Sequence, residues 1–281
     1  MHHFNLLLLS ASLLISASCS QPKSTSPYPQ NPAVSDAQGH PRDTTTFYFP
    51  AADSLHAKYV PKNEWPASRN IFDIQYTNCA YELEHASYAL TYFDAPVLSN
   101  YYLGAEIFRF LWLRSFHRPV LLTLCHDSTG TSLRTQLLDK SPGFYILGVQ
   151  HPDSLPANSS AKAKAYARKY YAETMADPAF LAEVAEGKRR AVQVFGEETT
   201  ISITLEQYQE FQQLLQKAQF WQLPSCKPVP GLLDGSNWLL EAHQASGYHM
   251  VFRHSPNEND GFRKACEYLI NLSSVRNEER Y

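Results

Sequence analysis

The sequence predicts an α+β domain: an antiparallel sheet built from hairpins, with helices packed on one face and a disordered tether ahead of it. Three observations carry this. Strand-like alternation recurs in pairs joined by turn residues, helical periodicity stands apart from those pairs, and no βαβ alternation links them. An apolar run that ends in small residues and a cysteine precedes the whole.

That run, Leu6 to Ile15, is almost wholly aliphatic and is followed by Ser16-Ala17-Ser18-Cys19. It has the layout of a signal peptide over residues 1–18, with a short apolar core and small residues for the peptidase. The cysteine behind them resembles the lipobox of bacterial lipoproteins, in which Cys19 is lipidated and becomes the new N-terminus. Met1 to Asn5 carries two His and no Lys or Arg, and Ser16 stands where Leu is more usual, so plain secretion is the competing reading. A transmembrane anchor needs ~20 apolar residues, about twice this run. Residues 19–46 are rich in Ser, Thr, Pro, Gln and Asn and poor in bulky aliphatics, which reads as a flexible tether. A single domain is expected over 47–281, starting near Phe47-Tyr48-Phe49.

Thr77 to Phe93 reads as a helix that ends before Asp94-Ala95-Pro96. From Glu106 to Arg114, Phe108, Phe110 and Trp112 alternate with Arg109, Leu111 and Leu113, the period of a strand. Pro119 to Cys125 and Thr131 to Leu138 follow as a hairpin around Asp127-Ser128-Thr129-Gly130. After a loop at 151–160, a basic, Ala-rich helix is expected from Ala161 to Met175. Asp177-Pro178 opens another, stopped by Gly187, and the pair forms a helical insertion at 155–187. A second hairpin is expected over Ala191 to Ile203, turning near Gly196-Glu197-Glu198. Thr204 and Gln207 make a capping box, and Leu205, Tyr208, Phe211, Leu215 and Ala218 fall on one helical face. The last module is strand, turn, strand and a helix over Gly261 to Leu272 with Phe262, Cys266, Leu269 and Ile270 inward.

The net charge of −3 gives no bulk reason to bind nucleic acid or anionic lipid. With 11 glycines among 281 residues, Gly-rich phosphate loops are not expected. Once Cys19 is lipidated, Cys79, Cys125, Cys226 and Cys266 remain, an even set that permits two disulfides or leaves buried thiols. Their wide spacing lacks any C-x-x-C, and neither H-E-x-x-H nor an acidic calcium loop occurs, so no metal and no cofactor is expected.

The C-terminal hairpin carries the best candidates for chemistry. Pairing Glu241 with His249 sets Leu239 opposite Val251 and Asn237 opposite Arg253, which gathers Glu241, His249 and Arg253 on one surface. Such a group can do acid–base work, because a carboxylate beside His raises its pKa and orients its ring. A cross-strand ion pair without catalytic role is the competing reading. Ser255, His249 and Asp234 can be written as a triad, but Ser255 sits outside any G-x-S-x-G elbow. His117, His126 and His151 are isolated. Arg109, Arg114 and Arg134 lie on strands among apolar residues. Arg109 needs a carboxylate, for which Asp139, Glu106 and Glu82 are candidates.

Phe220-Trp221-Gln222-Leu223-Pro224, Asp234-Gly235-Ser236-Asn237-Trp238-Leu239-Leu240-Glu241, Tyr248-His249 and Arg253-His254-Ser255-Pro256 together resemble uncharacterised exported bacterial lipoproteins of the Bacteroidetes type. The resemblance runs from Thr204 onward and implies that the helix and the terminal hairpin-helix form one folding unit. It implies no catalytic residues. The expectation is a non-enzymatic, membrane-anchored cell-envelope lipoprotein, held through lipid on Cys19, whose domain binds an envelope partner or small ligand. The alternatives are a hydrolase-like enzyme on the Glu241, His249 and Arg253 face, and a purely structural envelope component.

Overall fold

Period-two alternation sets strands β1 (Glu106–Arg114), β2 (Val120–Asp127), β3 (Gly130–Leu138), β4 (Gly196–Ser202), β5 (Ser236–Gln244) and β6 (Gly247–His254). In this computed structural model, which describes residues 26–50, 79–143, 149, 151–156, 158–227 and 234–281, the strands form one antiparallel sheet. Its order is β4-β3-β2-β1-β5-β6, so β1 lies centrally and pairs with both β2 and β5. The α+β reading holds.

Helices α1 (Cys79–Tyr92), α2 (Ala161–Ala176), α3 (Pro178–Val192), α4 (Leu205–Lys217) and α5 (Gly261–Leu272) complete the chain. Phe108, Phe110 and Trp112 share a face with Leu122, Leu124, Trp238 and Leu240. Tyr208, Phe211 and Leu215 of α4 and Phe262, Cys266, Leu269 and Ile270 of α5 close over it in one core. At the N-terminus of α5, a Cβ on Gly261 would stand 3.1 Å from Ala218, so a side chain there would crowd the end of α4. The α4 capping box forms as expected, Thr204 accepting from Gln207 N and the Gln207 side chain accepting from Thr204 N. Leu205, expected on the buried face, is exposed.

The opposite face is covered as well. Leu83, Ala86, Ala89 and Leu90 of α1 pack with Tyr48 and Phe49 against Leu111, Leu113, Leu239, Met250 and Phe252. Residues 26–46 belong to this side, which corrects the tether expected over 19–46. Tyr28 and Ser35 are buried. Gln30 N donates to Asn100 O (2.9 Å), and Asn100 Nδ2 donates to Asn31 O (2.7 Å) and Ser35 Oγ (2.8 Å). The composition argument failed because this segment buries one tyrosine and borrows hydrogen-bond partners instead of burying its own aliphatics. The signal segment 1–18, Cys19 and the rest of the tether to residue 25 lie outside the described residues.

Two other boundaries moved. The second helix of the insertion runs through Gly187 to Val192. An interior Gly costs only about 1 kcal/mol, and Glu186 pairs with Arg189 and Arg190 across that turn. The expected hairpin over 191–203 is therefore a single strand, β4, paired to β3. Among α2 and α3 only Val184 is buried, so the helical pair packs peripherally.

Candidate functional site

The hairpin register decides the fate of the sequence candidates. Gln244 pairs with Gly247 around the two-residue turn Ala245-Ser246, and this places Glu241 opposite Met250, Ala242 opposite His249, and Trp238 opposite Arg253. The register is one residue off the expected one, and a one-residue slip exchanges the faces of a strand. Glu241 therefore lies on the α1 side, and His249 and Arg253 on the α4/α5 side. The proposed acid–base surface does not form.

Each of the three has another task. Glu241 is sealed from solvent and accepts two hydrogen bonds from Arg109, at 2.6 and 2.9 Å, and one from Tyr248 Oη at 2.9 Å. Arg109 also donates to Pro96 O. Its carboxylate partner is thus Glu241 and none of Asp139, Glu106 or Glu82. Arg253 Nη1 donates to Pro224 O at 2.9 Å. His249 lies under the rings of Phe220 (5.1 Å) and Trp221 (5.9 Å), and burial holds its imidazole below the ordinary range. Arg114, also buried, meets Glu278 at 2.9 Å and stacks over Trp112, whereas the half-exposed Arg134 meets Glu198 at 2.6 Å at the surface.

The Ser255, His249 and Asp234 triad is not assembled either. Ser255 Oγ accepts from Ser236 N at 3.0 Å, across from Gly235. Gly235 has φ +133°, and a Cβ there would fall 2.3 Å from that Oγ. His254 Nδ1 faces Asn237 Oδ1 at 2.8 Å. Gly235, Ser236, Asn237, His254 and Ser255 are in this way knit to one another. Of the cysteines, Cys226 is disulfide-bonded, whereas Cys125 and Cys266 are free thiols. The Cys79 side chain lies outside the described residues. Among the described residues no group of three or more His, Cys, Asp and Glu is placed to hold a metal.

One concave feature lies at the Glu106 end of the sheet, where α4 crosses the strand ends. It is a groove of about 560 Å³, within the usual size for small-ligand sites. Gln212 and Gln216 line one wall at i and i+4 of α4, with Gln219 and Gln222 beyond the helix and Gln244 of β5 completing the amides. Trp221 supplies the exposed apolar surface, over a floor of the buried Phe108, Leu215 and Phe220. Trp221 keeps 40% exposure, while Trp112 and Trp238 are fully buried.

One amide is held in place from behind. Gln212 Nε2 donates to Tyr208 Oη at 3.0 Å, and that hydroxyl donates to the Glu106 carboxylate. Burial first, and Glu106 second, push the Tyr208 phenol up, so it stays a donor. His126, paired with Glu106 across β1 and β2, stacks on Tyr208 at 4.4 Å and bonds Thr131 Oγ1 at 2.7 Å. A second feature is the backbone of Gln219, which takes the left-handed conformation (φ 51°) where α4 ends. Sequence reasoning passed over this site because it searched titratable groups. The signal available was the glutamine spacing beside the buried face of α4.

No protein-family model, curated protein or solved structure matches the chain.

Proposed function

We propose that the chain is a non-enzymatic lipoprotein of the cell envelope, anchored through lipid on Cys19, whose α+β domain binds a ligand in the glutamine-lined groove. The observation that carries the binding reading is the groove lining. Five amides and a half-exposed tryptophan converge there, and one amide is oriented by a hydrogen-bonded carboxylate and phenol. The buried carboxylate of the C-terminal hairpin, Glu241, is engaged by Arg109 on the other face of the sheet. The aliphatic run before Ser16-Ala17-Ser18-Cys19 and the resemblance to exported lipoproteins support the address.

Two readouts test it. Expressed in a bacterial host with a fatty-acid label, the chain takes up label and enters the detergent phase, and Cys19→Ala abolishes both; unchanged partitioning of the variant refutes lipidation. For the groove, a library of polar fragments screened by NMR perturbs resonances of Gln212, Gln216 and Trp221. Fragments that cluster on another surface, or on none, overturn the groove as the binding site.

A further inference from the structure

We infer that the groove takes an uncharged, polyhydroxylated ligand, a short neutral oligosaccharide. This rests on the groove being the binding site and names what it recognises. The lining contains five primary amides, three aromatic rings and a leucine, with no acid, base or imidazole among them.

Each amide offers two donors and an acceptor, and a hydroxyl is likewise donor and acceptor, so a sugar can satisfy the wall group by group with no formal charge on either side. A charged ligand would lose hydration there without meeting a counter-charge. A wholly apolar one would cover the amides and leave them unpaired, at about 1–3 kcal/mol for each buried group. The ligand must therefore be polar around its edge and apolar on a face. Pyranose rings have that shape, with hydroxyls around the rim and C–H groups on the flat side. Trp221 presents the matching surface, its indole backed by Phe220 at 5.5 Å and His249 at 5.9 Å. Gln212 and Gln216 lie one turn apart on α4 and Gln219 follows just past its end, a row long enough for more than one sugar unit.

The test uses the full chain with a panel of neutral oligosaccharides (oligomers of glucose, of mannose and of N-acetylglucosamine). Uronate, sulfated and amino-sugar oligomers serve as charged comparators. Binding is read by calorimetry and saturation-transfer NMR. A neutral oligomer is expected to bind with little dependence on salt. Trp221→Ala should weaken it about tenfold, the loss of one stacking ring. Gln216→Ala, at an exposed position that leaves the core untouched, should weaken it by a smaller factor. If fragments perturb the groove but no neutral saccharide binds, or a charged comparator binds tighter, the ligand class is wrong and the site stands. If saccharides bind equally to both variants, the assignment to this groove fails. If nothing perturbs the groove, both readings fall.

Discussion

Arg109 and Glu241 meet across β1 and β5 as a two-point ion pair, 1% and 0% exposed, in the middle of a six-stranded sheet. Removing one partner strands a charge that the interior cannot solvate. Glu241→Ala is expected to cost about 3–5 kcal/mol in urea unfolding, whereas the double variant Arg109→Met/Glu241→Leu should recover most of that loss. A double variant as unstable as the single one would show that the hydrogen bonds of Tyr248 and Pro96 matter more than the charge.

His243 gives the fold a pH dependence of known sign. Leu103 N donates to its Nε2 at 3.0 Å, so Nδ1 carries the proton and donates to Leu98 O at 2.8 Å. A second proton would face the Leu103 amide, and burial already holds the imidazole below its ordinary 6.5. The folded pKa is lowered, so the unfolded chain binds more protons as pH falls through the unfolded value. Stability should then be flat above about pH 7 and decline below roughly 6.5, with His249 acting in the same direction. Urea midpoints between pH 8 and 5 check this, and no decline before carboxylates titrate would contradict it.

Gln219 occupies a left-handed conformation that Gly adopts at lower cost. Gln219→Gly should raise stability by about 1 kcal/mol and weaken ligand binding, because its side chain lines the groove. A variant that is no more stable would mean that the side chain returns the strain through contacts of its own.

The cysteines make a covalent prediction. Alkylation of the unreduced, unfolded chain should label Cys125 and Cys266 and spare Cys226. Peptide mapping that finds Cys226 as a free thiol, or Cys125 or Cys266 in a disulfide, would refute this. In the native state Cys266, buried within α5 with its thiol pushed up by burial, should resist modification far longer than Cys125.

Where the sequence was legible, the reason was periodicity. The strand from Glu106, the capping box at Thr204 and the helix from Gly261 each carry their own pattern, and each formed within a residue or two of its expected bounds. Register was not legible in the same way. Tyr248, Met250 and Phe252 alternate with His249, Val251 and Arg253, so either parity gives β6 a bulky face, and the two-residue turn at Ala245-Ser246 decided it. The partner of Arg109 lies 132 residues away on a strand that only the sheet order makes a neighbour. The groove was missed for a chemical reason: neutral amides on an exposed helix face read as solvated surface until a tryptophan and a strand end are set beside them.

Tyr28 is pinned within 2.8 Å of the Gln244 carbonyl and 3.0 Å of that of Gly247, at the same end of the sheet as the groove. Tyr28 follows Cys19 by nine positions, a leash of at most about 30 Å. With lipid on Cys19, so short a link would keep the groove's mouth close to the bilayer. Its ligands would then be met at the membrane surface, and lengthening the leash should change which ones it reaches without altering how tightly it holds them.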